Sequence, residues 1–457
     1  MEEIKNKKNG ATGRERVDLL NKMAADQRNN SPKKSLEISL EAIELASNIS
    51  YKKGLAKASF NAGICSRSLS NFSDAFHYNE NALQIFSEIK DSRGESRTLN
   101  ALGNVHYSLS QYNNALDYFK KSMTLLEKSG DTMFQAVVLS NIGLTYQEMG
   151  TLSDALDNYL KSLNIYKSNN KPVPHNLLNN LGIIYQEIGD YHESISYFIN
   201  ALKIEEETKN LTDKGFTLGN MGISYLQMDD HSNAVIYLSE ALIILRKTGN
   251  LQAQSRVFSH LGNAYAKLKC HSEALPYYFK ALKYNNETGD KSSVSDNLFD
   301  LGSAYFDLKD YVTSKKYFLE GLHVSIEIGD QINEVKNYTG LANLYLRFND
   351  INSIKSFLNK AIELAGKRKA YRELSQIYSL LSKAYKQDGN YEKSRQCFEK
   401  SFEYEEKFLN IEIEKKVKAI LQSLDLNHSK NSKKTNYQDS NGTHVMTKEI
   451  NITKGDN

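Results

Sequence analysis

The chain has little proline, no tryptophan, few cysteines and almost no net charge. Only 4 of its 457 residues are Pro, against a usual ~5%. Long stretches therefore lack the residue that removes a helix hydrogen bond and clashes with the preceding turn. Three cysteines, Cys65, Cys270 and Cys397, stand far apart. That excludes a disulfide scaffold and any Cys-x-x-Cys metal site. Lys and Arg number 58 and Asp and Glu 55, a formal net charge of +3, so no general affinity for nucleic acid is expected. The most apolar stretch, 235–245, is broken by Ser239 and Glu240. It falls far short of the ~18 apolar residues a membrane span needs. The opening MEEIKNKKNG carries charge without an apolar core, so a cytoplasmic protein without a secretory signal is expected. A length of 457 residues exceeds one ordinary core and implies several domains or an array.

What is present is a period. Glycine recurs at Gly63, Gly103, Gly143, Gly182, Gly222, Gly262 and Gly302, in steps of 40 with a single step of 39. Continuing the register gives Ala342 and Ser382, and stepping back gives Met23. Ten register positions hold seven glycines where composition would place about half of one. Three residues after the glycine stand Tyr146, Tyr185, Tyr225, Tyr265, Tyr305, Tyr345 and Tyr385, with His106 as a departure that reads as a packed core residue. Sixteen after it stand Phe119, Tyr159, Phe198, Tyr278, Phe318 and Phe398. Twelve and nineteen after it the residues are small, as in Ala115 and Ser122, with Ile354 the exception.

Within each period the apolar spacing is helical and occurs twice. Short breaks such as SGD (129–131) and IGD (328–330) join a glycine stop to an aspartate start. Pro32 is expected at the first helical position after Ser31. A glycine costs roughly 1 kcal/mol in a helix interior, so seven in one column imply that a Cβ there would clash. The fold class is therefore all-α, an array of about ten helix-turn-helix units.

At residues 100–123 (NALGNVHYSLSQYNNALDYFKKSM) and 259–282 (SHLGNAYAKLKCHSEALPYYFKAL) the chain resembles the tetratricopeptide repeat (TPR) family. Its 40-residue units are similar to those of kinesin light chains, Pins-type adaptors and the sensor regions of bacterial signalling proteins. The resemblance implies a right-handed superhelix, an α-solenoid, with the first helix of each repeat on the concave face. The expected organisation is a disordered tail over 1–16, ten repeats over 17–401, a capping or connector helix over 402–426 and a second disordered tail over 427–457. The last helix reads either as a solvating cap or as one seam of a homodimer, on Ile413, Val417, Ile420 and Leu424. KPVPHN (171–176) supplies the 39-residue step and predicts a kink between repeats 4 and 5, either a hinge or a tolerated deletion. A basic stretch, GKRKAYR (366–372), reads as a solvated inter-repeat loop.

Catalytic signatures are missing: no phosphate-binding glycine loop, no HExxH, no GxSxG. No enzyme activity, cofactor or metal is expected, and no nucleic-acid or membrane partner. Function is expected on the concave surface, where the resemblance points first-helix offsets −6, −3, +1, +4 and +5 from the glycine inward. On this sequence they select Lys57, Arg67, Arg97, Asn100 and Asn104 in repeats 2 and 3, Leu144, Asn179, Phe216 and Leu226 in repeats 4 to 6, Arg256 and Asn263 in repeat 7, and Lys336, Asn343, Arg347, Lys383 and Lys386 in repeats 9 and 10. The charge along this face runs basic, then apolar and acidic, then mixed, then basic. Phe216 and Leu226 are expected as bare apolar anchors. The clamp for chaperone tails is not expected, because no repeat carries its arginine two residues before the glycine.

The favoured function is a non-enzymatic scaffold that holds a peptide or helical segment of a partner protein. The alternative is a regulator in a bacterial signalling system, a partner of a histidine kinase or nucleotide cyclase, or a peptide sensor. Residues 16–46 resemble the start of such repeat regions.

Overall fold

In the computed structural model, residues 13–28 and 30–435 are described, and among them the only regular elements are twenty helices. Repeat 1 pairs α1 (Gly13–Gln27) with α2 (Pro32–Asn48), and repeat 2 pairs α3 (Lys52–Ser68) with α4 (Phe72–Glu88). Repeat 3 comprises α5 (Ser92–Ser108) and α6 (Tyr112–Ser129), and repeat 4 α7 (Thr132–Glu148) and α8 (Leu152–Ser168). Repeat 5 is α9 (His175–Ile188) and α10 (Tyr191–Glu207), and repeat 6 is α11 (Leu211–Gln227) and α12 (His231–Thr248). Repeats 7 and 8 are α13 (Leu251–Lys267) with α14 (His271–Thr288), and α15 (Lys291–Asp307) with α16 (Tyr311–Ile328). Repeats 9 and 10 are α17 (Gln331–Leu346) with α18 (Ile351–Lys367), and α19 (Tyr371–Gln387) with α20 (Tyr391–Thr435).

Local chemistry sets these boundaries. A residue with positive φ stands after a helix about every twenty residues, as at Ser70, Lys90, Ser110, Gly130 and Gly150. Many of the helices then open on an Asp or Asn whose carboxylate or amide oxygen accepts a first-turn N–H. Examples are Asp91 from Gly94 at 2.9 Å and Asp310 from Thr313 at 3.1 Å. Pro32 does occupy the first helical position, but the Ser31 side chain makes no capping bond. Pro276 lies inside α14 without ending it, so packing outweighs the lost hydrogen bond there.

The glycine column is sterically required. A Cβ on Gly103 would stand 2.5 Å from a ring carbon of Phe119, and one on Gly302 2.6 Å from Phe318. The aromatic sixteen residues on thus lies over the glycine, and Phe119, Tyr159 and Phe198 are wholly buried there. The Tyr column stacks on a further aromatic column that the sequence reading passed over. Tyr225 lies parallel to Tyr237 at 5.2 Å and Tyr265 to Tyr277 at 5.2 Å. His106 joins the same ladder, stacked on Tyr118 at 5.1 Å. Where the small column holds serine, its hydroxyl donates to a first-helix carbonyl, as from Ser122 to Ser96 at 2.8 Å. The apolar core is accordingly a row of local clusters rather than one centre.

The first helices of successive repeats touch one another along the whole array, whereas among the described residues successive second helices do not. Crowding on one side and spreading on the other bends the array, with first helices on the inside.

The KPVPHN segment interrupts the regular spacing. Six residues separate α8 from α9, against two to four elsewhere, and α9 is the shortest helix with 14 residues. In the C-terminal region the second helix of repeat 10 runs unbroken from Tyr391 to Thr435, through 402–426 and into the start of the segment expected as a tail. No turn signal interrupts it. It also packs back against α8 and α9, beside the KPVPHN segment. Residues 1–12 and 436–457 lie outside the described residues.

Candidate functional site

Concavity alone does not make a site; cavities with unpaired chemistry do. The inner face holds two adjoining chambers. The first, about 540 Å³, is built on first helices α11, α13, α15 and α17. Phe216, Arg256, Asp296 and Lys336 reach it from one column, one per repeat. Ser259, His260, Asn263, Phe299 and Asp300 complete its floor. The second, about 520 Å³, shares Phe299 and runs on along α17 and α19, past Asn343, Gln376 and Lys383.

The electrostatics of the first chamber are specific. Lys336 Nζ lies 2.6 Å from Asp296 Oδ1, so one carboxylate of the pair Asp296 and Asp300 is already neutralised. Asp300 has no hydrogen-bond or ion-pair partner among the described residues. Burial, with Asp296 beside it, raises its pKa to about 7, against the pull of Lys336. His260 is pushed the other way, down to about 4, by burial and the neighbouring Arg256. Near neutral pH the floor therefore offers a neutral imidazole and a carboxyl poised to ionise. Asn263 accepts from the Tyr278 hydroxyl at 2.7 Å, which leaves its amide N–H groups for a ligand. Phe216 is 39% exposed, an apolar wall left bare in a polar cleft.

The expected inner residues divide by what surrounds them. Phe216, Arg256, Asn263 and Lys336 converge on the first chamber, and Asn343 and Lys383 on the second. Lys57 and Lys386 are exposed, and Arg67 is half-buried. The Arg97 guanidinium lies over the Phe134 ring at 5.0 Å and that of Arg347 over Phe306 at 5.6 Å. Asn104 is half-buried. Asn100 accepts from the Asn141 amide at 2.9 Å and is buried. Asn179 donates to Glu205 at 2.8 Å. Both amides are thus engaged inside the array.

Leu144 and Leu226 are half-buried against core clusters. Leu226 is therefore no bare anchor, because it packs against the core cluster of repeats 6 and 7. In repeats 4 and 5 Gln147 donates to Glu187 at 2.8 Å, and burial raises the Glu187 carboxyl above its ordinary range.

The sequence reading missed His260 and Asp300. Both stand two residues before the glycine register, a column that reads Asn61, Ala101, Asn141, Asn180 and Asn220 in repeats 2 to 6. The switch from amides to titratable groups in repeats 7 and 8 was the signal that could have found them.

The geometry defines a tetratricopeptide-repeat solenoid, an interaction fold. Residues 94–168 and 175–247 match one tetratricopeptide repeat family model and 375–408 another. The array is a right-handed TPR superhelix. Among solved structures it is similar to the apo form of the quorum sensor NprR from B. thuringiensis, at 13% identity and a TM-score of 0.53, covering 84% of this chain and 98% of that one. The apo form of RapI is similar at 16% identity and a TM-score of 0.52, covering 60% of this chain and 99% of that one. These likenesses concern the fold. No curated protein matches the sequence. Among the described residues no helix is long and apolar enough to cross a membrane.

Proposed function

We propose that the protein is a non-enzymatic binding scaffold that takes an extended peptide or a helical segment of a partner protein along the two chambers of repeats 6 to 10. The observation that carries this is the convergence of a bare aromatic wall, an unpaired carboxyl and free donors from consecutive repeats on one cleft. Apolar anchors supply affinity, and the charges select the ligand. A second reading, a peptide-sensing regulator of a bacterial signalling system, draws support from the extent of the match to the quorum sensor. The two share the groove and differ in the consequence of binding.

A peptide library panned on the immobilised full chain tests the scaffold. Peptides that bind the wild type and lose binding to Phe216→Ser with Asp300→Lys support it. Peptides retained equally by that variant, or no enrichment at all, overturn it. The basic end at Lys383 and Lys386 would favour acidic peptides, so Lys383→Glu with Lys386→Glu should weaken their binding and leave far-UV circular dichroism unchanged.

Self-association through the last helix extends the same proposal. Phe398 is 63% exposed and Phe402 69%, although Phe119 and Phe198, in the same column as Phe398, are fully buried. The end of an array presents the surface that every internal repeat covers with its successor. Light scattering on the wild type and on Phe398→Ser with Phe402→Ser decides this: a dimer in the first and a monomer in the second is expected.

A further inference from the structure

One core column contains a carboxyl. Twenty-three residues after the glycine register stand Phe86, Leu126, Tyr166 and Leu245, all buried, and in repeat 5 the same place is held by Glu205. Glu205 sits on α10 at 0% exposure and faces α11 across the junction of repeats 5 and 6. Its Oε1 accepts from the Asn179 amide of α9 at 2.8 Å and lies 2.9 Å from the Thr217 hydroxyl of α11. Its Oε2 is buried with no partner. A buried carboxylate normally has a cation beside it. Among the described residues no Lys or Arg lies within ion-pair distance of Glu205.

Proton counting around Thr217 gives a second, independent constraint. Its hydroxyl oxygen has three oxygen neighbours: Asn179 Oδ1 at 2.9 Å, Glu205 Oε1 at 2.9 Å and the Asp213 carbonyl at 3.0 Å. The hydroxyl has one hydrogen to donate. With an ionised Glu205, all three neighbours are acceptors and two contacts lack a proton. With a protonated Glu205, the carboxyl donates to Thr217, and Thr217 donates onward to Asn179 or Asp213. Turning the Asn179 amide over does not remove the need, because its oxygen would then face Glu205.

We infer that Glu205 is held as a neutral acid and works as a proton-operated latch between repeats 5 and 6, whose release loosens the packing of α11 on α10. The charged groups that face it from the adjoining helices are His175 of α9 and Asp213 of α11, themselves paired at 2.8 Å. Their influences on Glu205 oppose each other. Lys214 of α11 is tied to Glu206 at 2.7 Å, on the outer side of α10. Burial is the largest influence, and it raises the Glu205 pKa above the ordinary 4.5, while the bonds from Asn179 and Thr217 and the charge of His175 pull it down and Asp213 adds to the rise. A raised acid gives stability that is complete below pH 4.5 and is lost as pH rises through the folded-state value. The latch lies between the linker at 169–174 and the chamber that begins at Phe216 on α11. Because a solenoid transmits each inter-repeat angle to everything beyond it, loosening this junction moves one half of the groove against the other.

The test compares the full-length wild type with Glu205→Gln and Glu205→Leu. Glutamine is an uncharged isostere of the neutral acid: with its amide nitrogen in the place of Oε1, it donates to Thr217 and to the oxygen of a turned Asn179 amide. Thermal midpoints of wild type and Glu205→Gln should coincide at about pH 4 and separate progressively toward about pH 8, with the glutamine variant higher. The opening constant of α10 and α11 amides, read by hydrogen exchange and corrected for intrinsic rate, should rise by up to about tenfold per pH unit in wild type and stay flat in Glu205→Gln. Glu205→Leu, which strands Asn179 and Thr217, should be shifted by a constant amount. A wild-type-to-glutamine difference that is the same at every pH overturns the latch. So does an infrared spectrum of the wild type at neutral pH that lacks a protonated-carboxyl band attributable to Glu205, a readout that does not depend on any variant folding.

Discussion

Two glycines three residues apart on α11 should respond to the same substitution with opposite sign. A Cβ on Gly222 would stand 2.6 Å from Leu238 Cγ, 2.9 Å from its Cδ2 and 3.2 Å from its backbone nitrogen. Carbon pairs prefer about 3.5–4.0 Å, so α11 and α12 must part by roughly 1 Å. Rotating the Leu238 side chain cannot relieve the backbone contact, and Leu238 is wholly buried in any case. A Cβ on Gly219 meets only Val257 at 3.6 Å and Ala241 at 4.0 Å. It would point into a void of about 20 Å³ beside Ile223 and Leu245.

Replacing a helical glycine by alanine contributes about 1 kcal/mol through the backbone, while overpacking costs about 1–3 kcal/mol. Gly219→Ala is thus expected to stabilise by up to about 1 kcal/mol, and Gly222→Ala to destabilise by up to about 2 kcal/mol. Urea unfolding followed by far-UV circular dichroism reads both, with hydrogen exchange to confirm that the effect centres on repeats 5 to 7. A Gly222→Ala midpoint at or above wild type would refute the steric account of the glycine column. Loss of stability in Gly219→Ala would refute the reading of that position as open to a methyl group.

The remaining expectations concern caps, a buried amide and the last helix. Asp230, Asp310 and Asp350 have carboxyls held below the ordinary 3.8 by hydrogen bonds from the third residue onward, side chain first and backbone amide second. A depressed acid gives stability present above the unfolded value and lost as pH falls through the folded one. Replacing all three by Asn should therefore flatten the acid limb of a helicity-against-pH curve without changing helicity at neutral pH. Asn285→Leu should cost about 1–3 kcal/mol in chemical denaturation, although Leu fills that column in repeats 3 and 6. It strands Asn297, which accepts from the Asn285 amide at 2.7 Å. Truncation after residue 410 should leave most of the array folded and raise hydrogen exchange at the facing ends of α8 and α9, which α20 touches. Unchanged exchange there would remove α20 from that junction.

The sequence alone determined the period, the helix pairs and the reason for the glycines. Each of these is local: a glycine, the ring sixteen residues on, a turn every twenty residues and a cap after it. KPVPHN marked an interruption between repeats 4 and 5, since proline acts on its own backbone, while the shortness of α9 came only with the structure. The columns facing the groove were legible only in part, because an offset places a side chain on a helix face but not in a cavity. Phe216, Arg256, Asn263 and Lys336 meet in one chamber, while Arg97 and Arg347 lie on aromatic rings and Asn100 and Asn179 bond inward. His260 and Asp300 went unread because their column looks structural until burial and neighbouring charge are known. The tertiary structure also decided the fate of Leu226, the reach of α20 back to repeats 4 and 5, and the surroundings of Glu205. Each depends on residues brought together across repeats. One side chain's accessibility and ionisation are set by which neighbours the superhelix supplies, and no single repeat contains them.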